Sequence, residues 1–382
     1  MTSTKLLQGA ATQNGGGVRV IIFEERLAWE KPCGGGLSHK ALKRYPFLRE
    51  ATELANPVWK MEVHAPGGAT ASISLREPLA IYSRRELNQL LLERSQRAGA
   101  EVVNDRIIDA EKSGDKWCLR GRAGSYEADY LIVAAGARSS LRNQLAGALK
   151  AKDFMLTFGY FVPGHEDLLR VEFFANFEGY AWSFPRANHL SVGICGKVGD
   201  ARMSDLQRNL FGFMERHGYS TDSAPVFSHL LPSLDVESWA GMRLEGDGWA
   251  LAGDTAGLTD PVTGEGLYFA LRSGELLAEA ILKGFSYARK VWDEFGSKLM
   301  LGARICPRFY HGEFLGASLT TRMVQLCGRS KTFLNLFQDM VEGSQAYRGL
   351  PGRLFRNLPK YLVETAAHSV WKRMGLQSAE QA

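Results

Sequence analysis

The sequence predicts an α/β protein in which a Rossmann-like domain is interrupted by a second, antiparallel-sheet domain (α+β) and followed by a helical C-terminal region. Three observations support this class. A short apolar strand ends in two acids in the run VRVIIFEER, residues 18–26. Residues 154–235 contain strand-like segments with an aromatic face. Residues 249–281 have the pattern of a strand, a glycine corner and an amphipathic helix.

Length and composition limit the class of protein further. With 382 residues, the chain is long enough for two or three domains with sizeable cores. Its five cysteines show no metal-ligand or CxxC spacing, which predicts no metal site and a reducing, cytoplasmic location. No apolar run approaches about 18 residues, so we expect no membrane span. The basic residues form no reader motif, so we expect no nucleic-acid partner.

The positive charge of the chain is concentrated near its C-terminus. The net charge is +5, yet residues 283–373 alone contain 15 Lys and Arg against 6 Asp and Glu. This segment can be a solvated basic face over a helical core. It can also make peripheral contact with anionic lipid, which leaves membrane association open. No pattern indicates the oligomeric state.

The first strand predicts a ribose site. An acid at the end of the second strand of a dinucleotide-binding fold accepts hydrogen bonds from ribose hydroxyls. Glu24 is the candidate and Glu25 the second choice. A Gly-x-Gly-x-x-Gly turn and a helix normally come before such a strand. Here Gly15 to Gly17 lie directly before it, so we predict that the N-terminal strand and turn of this domain are missing.

The run from Trp249 to Ile281 predicts a second contact with a cofactor. Glycine at Gly253 lets the main chain come close to a polyol, and the Asp254 carboxylate accepts hydrogen bonds from hydroxyls. The helix entrance at Gly264 and Gly266 presents free N–H groups and the positive end of the helix dipole, which favour the negative edge of a reduced flavin. The predicted buried face of this helix comprises Leu267, Ala270, Leu271, Gly274, Leu277, Ala278 and Ile281.

Two further patterns have both structural and functional interpretations. Three glycines follow Pro32 and Cys33, which predicts a loop that something planar approaches. Cys33 then lies near a reacting group or is simply a buried thiol. Side chains at i, i+2 and i+4 of a strand share one face, which groups the rings of Tyr180, Trp182 and Phe184. That face is either sheet core or an apolar wall for a long, featureless chain.

These stretches together resemble the geranylgeranyl reductase family of FAD-dependent oxidoreductases, a para-hydroxybenzoate-hydroxylase-like group with a glutathione-reductase-type FAD fold. The matching runs are PCGGGL (32–37), YAWSFP (180–185), GDTAGLTDPVTGEGLYFALRSG (253–274) and the Gly-x-x-x-Tyr segment of 343–347, and the resemblance covers residues 18 to about 360. Arg84 matches the family's Arg-x-x-(Phe/Leu)-(Asp/Asn) helix start, which implies a position near the flavin.

The resemblance implies the following site, with the catalytic residue unknown and Cys33 as its candidate. The predicted FAD contacts are Glu24, Arg84, Gly136, Gly253, Asp254, Pro261, Gly264, Glu265 and Gly266. The predicted substrate contacts are Cys33, Gly34, Gly35, Tyr180, Trp182 and Phe184. His64, His189 and His217 are expected to be structural.

The resemblance also implies the domain limits. A discontinuous FAD-binding domain comprises 18–55, 83–153 and 236–285. The substrate domain comprises 56–82 and 154–235, and 286–382 form the C-terminal helical region.

The activity implied is reduction of carbon–carbon double bonds of an isoprenoid, geranylgeranyl-type chain or prenylated lipid by hydride from reduced FAD. NAD(P)H or another carrier would supply the electrons. The alternative is a flavin monooxygenase or halogenase of the same fold. Flavin hydroxylases usually have an acid where this chain has Ala135, which argues against the hydroxylase. A third alternative is a truncated, flavin-free remnant that binds a lipid or a partner.

Overall fold

A computed structural model describes residues 18–373 except residue 176. Its strands, in chain order, are β1 (Ile21–Phe23), β2 (Gly36–Leu37), β3 (Ala55–Ala65), β4 (Ala69–Tyr82), β5 (Glu101–Val103), β6 (Ile107–Ser113), β7 (Lys116–Gly121), β8 (Ser125–Ala128), β9 (Leu131–Val133), β10 (Phe154–Pro163), β11 (Leu168–Phe173), β12 (Gly179–Pro185), β13 (His189–Lys197), β14 (Val226–Pro232), β15 (Glu245–Gly246), β16 (Trp249–Leu251), β17 (Glu313–Phe314) and β18 (Ala317–Ser318).

The α-helices, in chain order, are α1 (His39–Arg44), α2 (Pro46–Glu50), α3 (Arg84–Arg97), α4 (Ser140–Ala146), α5 (Met203–Arg216), α6 (Val236–Ala240), α7 (Leu267–Lys283), α8 (Tyr287–Val291), α9 (Ser297–His311), α10 (Leu319–Arg329), α11 (Lys331–Glu342) and α12 (Leu350–Arg373). Short 3-10 turns lie at Thr52–Leu54, Pro66–Gly68, Ala151–Asp153 and Gly253–Ala256. A π-helical turn, Trp292–Gly296, joins α8 to α9.

The largest element is an eight-stranded sheet with the order β14-β10-β13-β12-β11-β3-β4-β2. All its pairs are antiparallel except β11 with β3. Because strand residues alternate between faces, β12 turns Ala181 toward α5 and turns Trp182 to the opposite side. The glycine loop joins this sheet through β2, which pairs with the end of β4.

The dinucleotide-type part of the chain contains parallel strand pairs. Strand β1 pairs in parallel with β5, and β9 pairs in parallel with β16. The predicted parallel strand is therefore present at residues 21–23, although it is half-buried rather than buried. These pairs, the eight-stranded sheet and the surrounding helices confirm the predicted α/β class, whereas the domain limits stay predictions.

Helix α7 has a different buried face from the predicted one. Leu277 and Ala278 are buried as expected, but Ala270 is exposed and Gly274 is half-buried, as are Leu267, Leu271 and Ile281. The face instead includes Arg272 and Ser273. Arg272 can be buried because Glu294 accepts two hydrogen bonds of 2.6 Å from it. Ser273 is buried because its Oγ accepts the N–H of Gly253 at 3.0 Å. The buried face of α7 thus includes polar residues whose hydrogen-bond partners make burial favourable, and it differs from the face that the apolar spacing predicts.

Two wider findings apply to the described part of the chain. None of its helices has the length and apolar character needed to cross a bilayer. No group of three or more His, Cys, Asp or Glu side chains there is arranged to bind a metal ion.

Candidate functional site

The three-glycine loop lies directly against the aromatic strand β12. A Cβ atom at Gly34 would stand 3.2 Å from the ring of Phe184, and one at Gly36 would stand 3.0 Å from it. Gly35 has a φ of +87°, and a Cβ there would overlap the carbonyl oxygen of Tyr82. Only glycine lets the loop come this close, so the sequence pattern reflects packing against Phe184 and β4.

Cys33 is held at the start of this loop by both its main chain and its thiol. The Sγ atom accepts the N–H of Gly35 at 3.3 Å. The carbonyl oxygen accepts hydrogen bonds from Arg186 and, at 2.9 Å, from the hydroxyl of Ser191. Burial alone would raise the pKa of the Cys33 thiol, but the guanidinium groups of Arg84 and Arg186 outweigh it and lower that pKa. The two arginines therefore make this thiol a stronger acid than burial alone would allow.

A buried ion pair supports the loop from below. The side chain of Arg186 is 0% exposed and pairs with Glu30. Glu30 also accepts the N–H of Arg84 at 2.7 Å and the hydroxyl of Ser83. Burial would raise the pKa of Glu30, but Arg186 and these hydrogen bonds lower it, so the carboxylate is ionised. Burial also lowers the pKa of Arg186, although a guanidinium stays protonated far above neutral pH.

The aromatic wall is continuous with Cys33. The rings of Tyr180 and Trp182 lie 5.9 Å apart between centroids. The Trp182 indole N–H donates to Ser191 Oγ at 3.4 Å, and the same hydroxyl donates to the Cys33 carbonyl. Tyr180 and Phe184 pack in one apolar cluster with Trp182, together with Met155, Phe161, Cys195, Phe227 and Leu231. The three rings thus share one face, as the strand spacing predicts.

The other end of the wall contacts the entrance of α7. The hydroxyl of Tyr180 donates to the carbonyl of Thr263 at 2.6 Å. Gly264 has a φ of +71°, and a Cβ there would stand 3.0 Å from the Tyr180 hydroxyl oxygen. Gly266 is the N-cap of α7, and no side chain caps the helix. The first N–H groups of α7 are therefore available to an anionic or polar group.

Asp254 lies beside this helix entrance. A Cβ at Gly266 would stand 3.2 Å from Asp254 Oδ1, and the same oxygen accepts the hydroxyl of Thr259 at 3.4 Å. Lys31 Nζ, from the segment just before Cys33, is 3.8 Å from the other carboxylate oxygen. The glycine–acid corner and the three-glycine loop are thus neighbours.

The remaining predicted residues around α7 have structural partners. Glu265 accepts the hydroxyl of Ser38 at 3.4 Å and lies 3.6 Å from Lys298. The carbonyl of Pro261 accepts the thiol of Cys306 at 3.1 Å. Gly136 is connected to the Gly253–Ala256 turn, since Thr255 Oγ1 accepts its N–H at 2.8 Å and donates to its carbonyl at 3.1 Å.

Glu24 stands apart from this group. Its carboxylate accepts the N–H of Arg26 at 3.1 Å, and within the described residues no hydrogen bond links it to the glycine loop or to α7. Glu25 is committed to ion pairs with Arg106 at 3.1 Å and Arg122 at 3.2 Å. The ribose assignment therefore remains a prediction, with Glu24 the less occupied of the two acids.

Several residues of the site were not among the sequence candidates. They are Glu30, Arg186, Ser191 and His229. Burial and the charge of Lys31 lower the pKa of His229 to about 4. Its Nε2 atom is buried without a hydrogen-bond partner among the described residues. The only signal for Arg186 is its place directly after the aromatic strand, where Pro185 ends it.

The residues present fit an FAD molecule. The uncapped N-terminus of α7 offers N–H donors, and Asp254 offers an acceptor for hydroxyl groups. Buried Nε atoms of Arg84 and Nε2 of His229 have no protein partner among the described residues. Unpaired buried donors and acceptors are rare in native proteins, so such atoms indicate a bound group that satisfies them.

Comparison with known proteins finds relatives that are named as geranylgeranyl reductases. No family model matches the chain. It is 27% identical to geranylgeranyl diphosphate reductase from Synechocystis over 304 residues, which cover 72% of each protein. It is 29% identical to digeranylgeranylglycerophospholipid reductase from Methanothrix thermoacetophila over 298 residues, covering 70% of this chain and 73% of that one. A geranylgeranyl bacteriochlorophyll reductase-like protein from Thermoplasma acidophilum has a similar structure, with a TM-score of 0.72, 18% identity and coverage of 94% and 95%.

The fold of this chain is also similar, at lower TM-scores, to those of a flavin-dependent brominase and of a p-nitrophenol 4-monooxygenase. The named relatives confirm the resemblance to the geranylgeranyl reductase family. The chain is therefore similar to geranylgeranyl reductases, and this similarity supports an enzyme of the FAD-dependent oxidoreductase type.

Proposed function

We propose that this enzyme reduces carbon–carbon double bonds of an isoprenoid chain of the geranylgeranyl type, free or attached to a lipid. One observation carries the proposal. The hydroxyl of Ser191 bridges the Cys33 carbonyl and the Trp182 indole, while Tyr180 joins the same wall to the entrance of α7. These contacts support one site that has the apolar wall on one side and the entrance of α7 on the other, with Glu24 outside it.

The apolar wall fits the chemistry of such a substrate. A prenyl chain offers no hydrogen bonds, so it is bound through burial and dispersion. Trp182 is 5% exposed and packs in one cluster with Tyr180 and Phe184, and the Phe184 ring lies against the glycine loop. The polar atoms of this wall, the Tyr180 hydroxyl and the Trp182 N–H, already have protein partners. The substrate therefore does not have to accept a hydrogen bond from either group.

The proposed reaction needs a hydride, a double bond held in position away from water, and a proton. When bound, reduced FAD supplies the hydride that one alkene carbon receives. The wall orients the double bond and excludes water. A proton must reach the other alkene carbon, from solvent or from a side chain, and Cys33 is the candidate because its thiol lies beside the glycine loop. NAD(P)H or another carrier would restore the reduced flavin.

The test follows the flavin by its absorbance. The purified chain is mixed with FAD, separated from free cofactor and scanned between 350 and 500 nm. It is then reduced with dithionite without oxygen and given geranylgeranyl diphosphate. We expect the flavin to reoxidise and the product to gain about two mass units for each bond reduced, as hydride and proton add across it.

Matched variants make the result specific. Trp182→Leu removes the centre of the wall, and we expect slower reoxidation with retained FAD. Trp292→Leu is the control, because Trp292 is 48% exposed and its ring lies against Trp239 rather than in the wall. A chain that takes up no FAD would support a flavin-free remnant. A chain whose reduced flavin ignores the prenyl substrate but rapidly consumes oxygen would support a monooxygenase or halogenase. Either outcome would refute the proposed activity.

A further inference from the structure

The last helix, α12, carries a stripe of apolar side chains that no other residue in the described part of the chain covers. Phe355 is 76% exposed, Leu362 64% and Val363 68%. Leu358 and Val370 lie on the same side at helical spacing and are 46% and 52% exposed. A contiguous exposed apolar face on one helix indicates a surface that binds something.

The opposite side of α12 holds the helix firmly on the protein. Tyr361 is 4% exposed and packs against Phe333 of α11, with ring centroids 5.4 Å apart. Arg353 forms an ion pair of 2.5 Å with Asp339, and Glu364 accepts the hydroxyl of Thr332 at 2.6 Å. Between Arg353 and Glu364 the stripe therefore points outward because the other face of the helix packs on the protein.

The charges that border the stripe are positive. Arg356 and Lys360 are exposed and lie along one border of the stripe. Within the described residues neither forms an ion pair, although Arg353 on the packed side does. They belong to the segment 283–373, which has 15 Lys and Arg against 6 Asp and Glu in a chain of net charge +5.

We propose that α12 docks the enzyme on the surface of an anionic lipid bilayer. An amphipathic helix with apolar residues on one face and Lys and Arg beside them lies in the plane of the interface, with its apolar face at the acyl boundary. Each basic residue adds attraction to the negative lipid surface. Charge selects this occupant over a second copy of the chain, because a symmetric contact through this face would bring like charges together.

The docking surface is connected to the site. Helix α12 begins at Leu350, shortly after Tyr347, whose hydroxyl donates to Asp260 at 2.8 Å. Asp260 also accepts the N–H groups of Val262 and Thr263 in the loop that leads to Gly264. Docking through α12 would keep this end of the site near the bilayer, where prenylated lipids reside. The docking itself requires neither FAD nor a prenyl substrate, so it stands or falls independently of the proposed reaction.

Flotation of the full chain with lipid vesicles tests the proposal. One set contains phosphatidylcholine alone, and the other contains about 30% phosphatidylglycerol. We expect binding to the anionic set that weakens at high salt, since charges are screened there. Replacing Phe355, Leu362 and Val363 with serine should reduce partitioning at least about tenfold per side chain. Arg356→Gln with Lys360→Gln should reduce it about fivefold per charge on anionic vesicles alone.

Controls separate docking from loss of folding. Val226→Ser removes an apolar side chain of similar exposure, 68%, from the edge strand β14, and should leave partitioning unchanged. All variants change exposed positions, so their circular dichroism and urea unfolding should match the parent. No flotation of the folded parent on anionic vesicles would overturn the proposal. So would a dimer, seen by light scattering, that the serine variant dissociates, because the stripe would then be covered by a second copy.

Discussion

The buried pair Arg186–Glu30 supplies a prediction whose size and pH dependence both follow from the structure. Arg186→Met keeps much of the side-chain volume but removes the charge. Glu30, only 16% exposed in its side chain, then loses its guanidinium partner. Breaking one half of a buried pair typically costs about 3–5 kcal/mol. We expect about 3 kcal/mol at pH 7.5, the lower end, because Glu30 keeps the N–H of Arg84 and the hydroxyl of Ser83.

The sign of the pH effect separates this account from a simple packing defect. In the parent, the pKa of Glu30 is lowered, so the pair stabilises the fold above the carboxyl's unfolded pKa and loses that effect as pH falls through the folded value. In the variant, burial without Arg186 raises the pKa of Glu30. A proton that binds to Glu30 or to the neighbouring His189 then offsets the unpaired charge. In the parent, burial and the charge of Arg186 lower the pKa of His189 to about 4. The penalty should therefore be about half as large at pH 5.0 as at pH 7.5.

Urea unfolding of parent and variant at both pH values, at equal FAD content, measures this penalty. Arg216→Met is the matched control, because Arg216 forms an ion pair of 2.6 Å with Glu172 but its side chain is 53% exposed. We expect a cost of about 0–1 kcal/mol there. Equal penalties for the two variants, or a penalty for Arg186→Met that does not change with pH, would refute the reasoning.

Two further predictions concern titrating groups elsewhere. Arg84 and Arg186 lower the pKa of Cys33 against the effect of burial, so the alkylation of Cys33 by iodoacetamide should have a pH midpoint below the usual thiol value of about 8.5, and Arg84→Gln should raise that midpoint. Peptide mass spectrometry, with the exposed Cys118 as the internal reference, measures the midpoint. An unchanged midpoint in Arg84→Gln would contradict the prediction. Burial and the charge of Arg170 lower the pKa of His217 to about 4. Between about pH 6.5 and 4 only the unfolded chain therefore takes up a proton at this residue, so the free energy of unfolding decreases as the pH is lowered through this window. His217→Phe should flatten that part of the urea stability profile, and an identical slope would exclude His217 as its source.

The sequence predicted the parts of the site that depend on short-range patterns. Alternation along one strand placed Tyr180, Trp182 and Phe184 on one face, and the glycine run predicted a close approach that Phe184 makes. The entrance of α7 at Gly266 followed from the same kind of local signal. In each case the signal is a local pattern, although the glycine loop makes its close approach to the distant residue Phe184.

The rest depended on contacts between distant segments, which periodicity does not encode. Arg186 is buried because Glu30 and the carbonyl of Cys33 meet it from another part of the chain. The face of α7 was misplaced because Arg272 and Ser273 are polar, and only their partners Glu294 and Gly253 make their burial favourable. His229 gave no signal at all, since a lone histidine on a strand looks the same with or without a charged neighbour.

The hydrogen bond from Tyr347 to Asp260 ties the segment before the last helix to the loop that leads to α7. Asp260 is 2% exposed, and its carboxylate depends on Tyr347 and on Lys298, 3.5 Å away, both of which lie after residue 285. Shortening the protein at that boundary would remove both partners and would uncover Val262, which packs against Cys306, Tyr310 and Tyr347. The helices after residue 285 therefore complete the core around the loop that leads to α7.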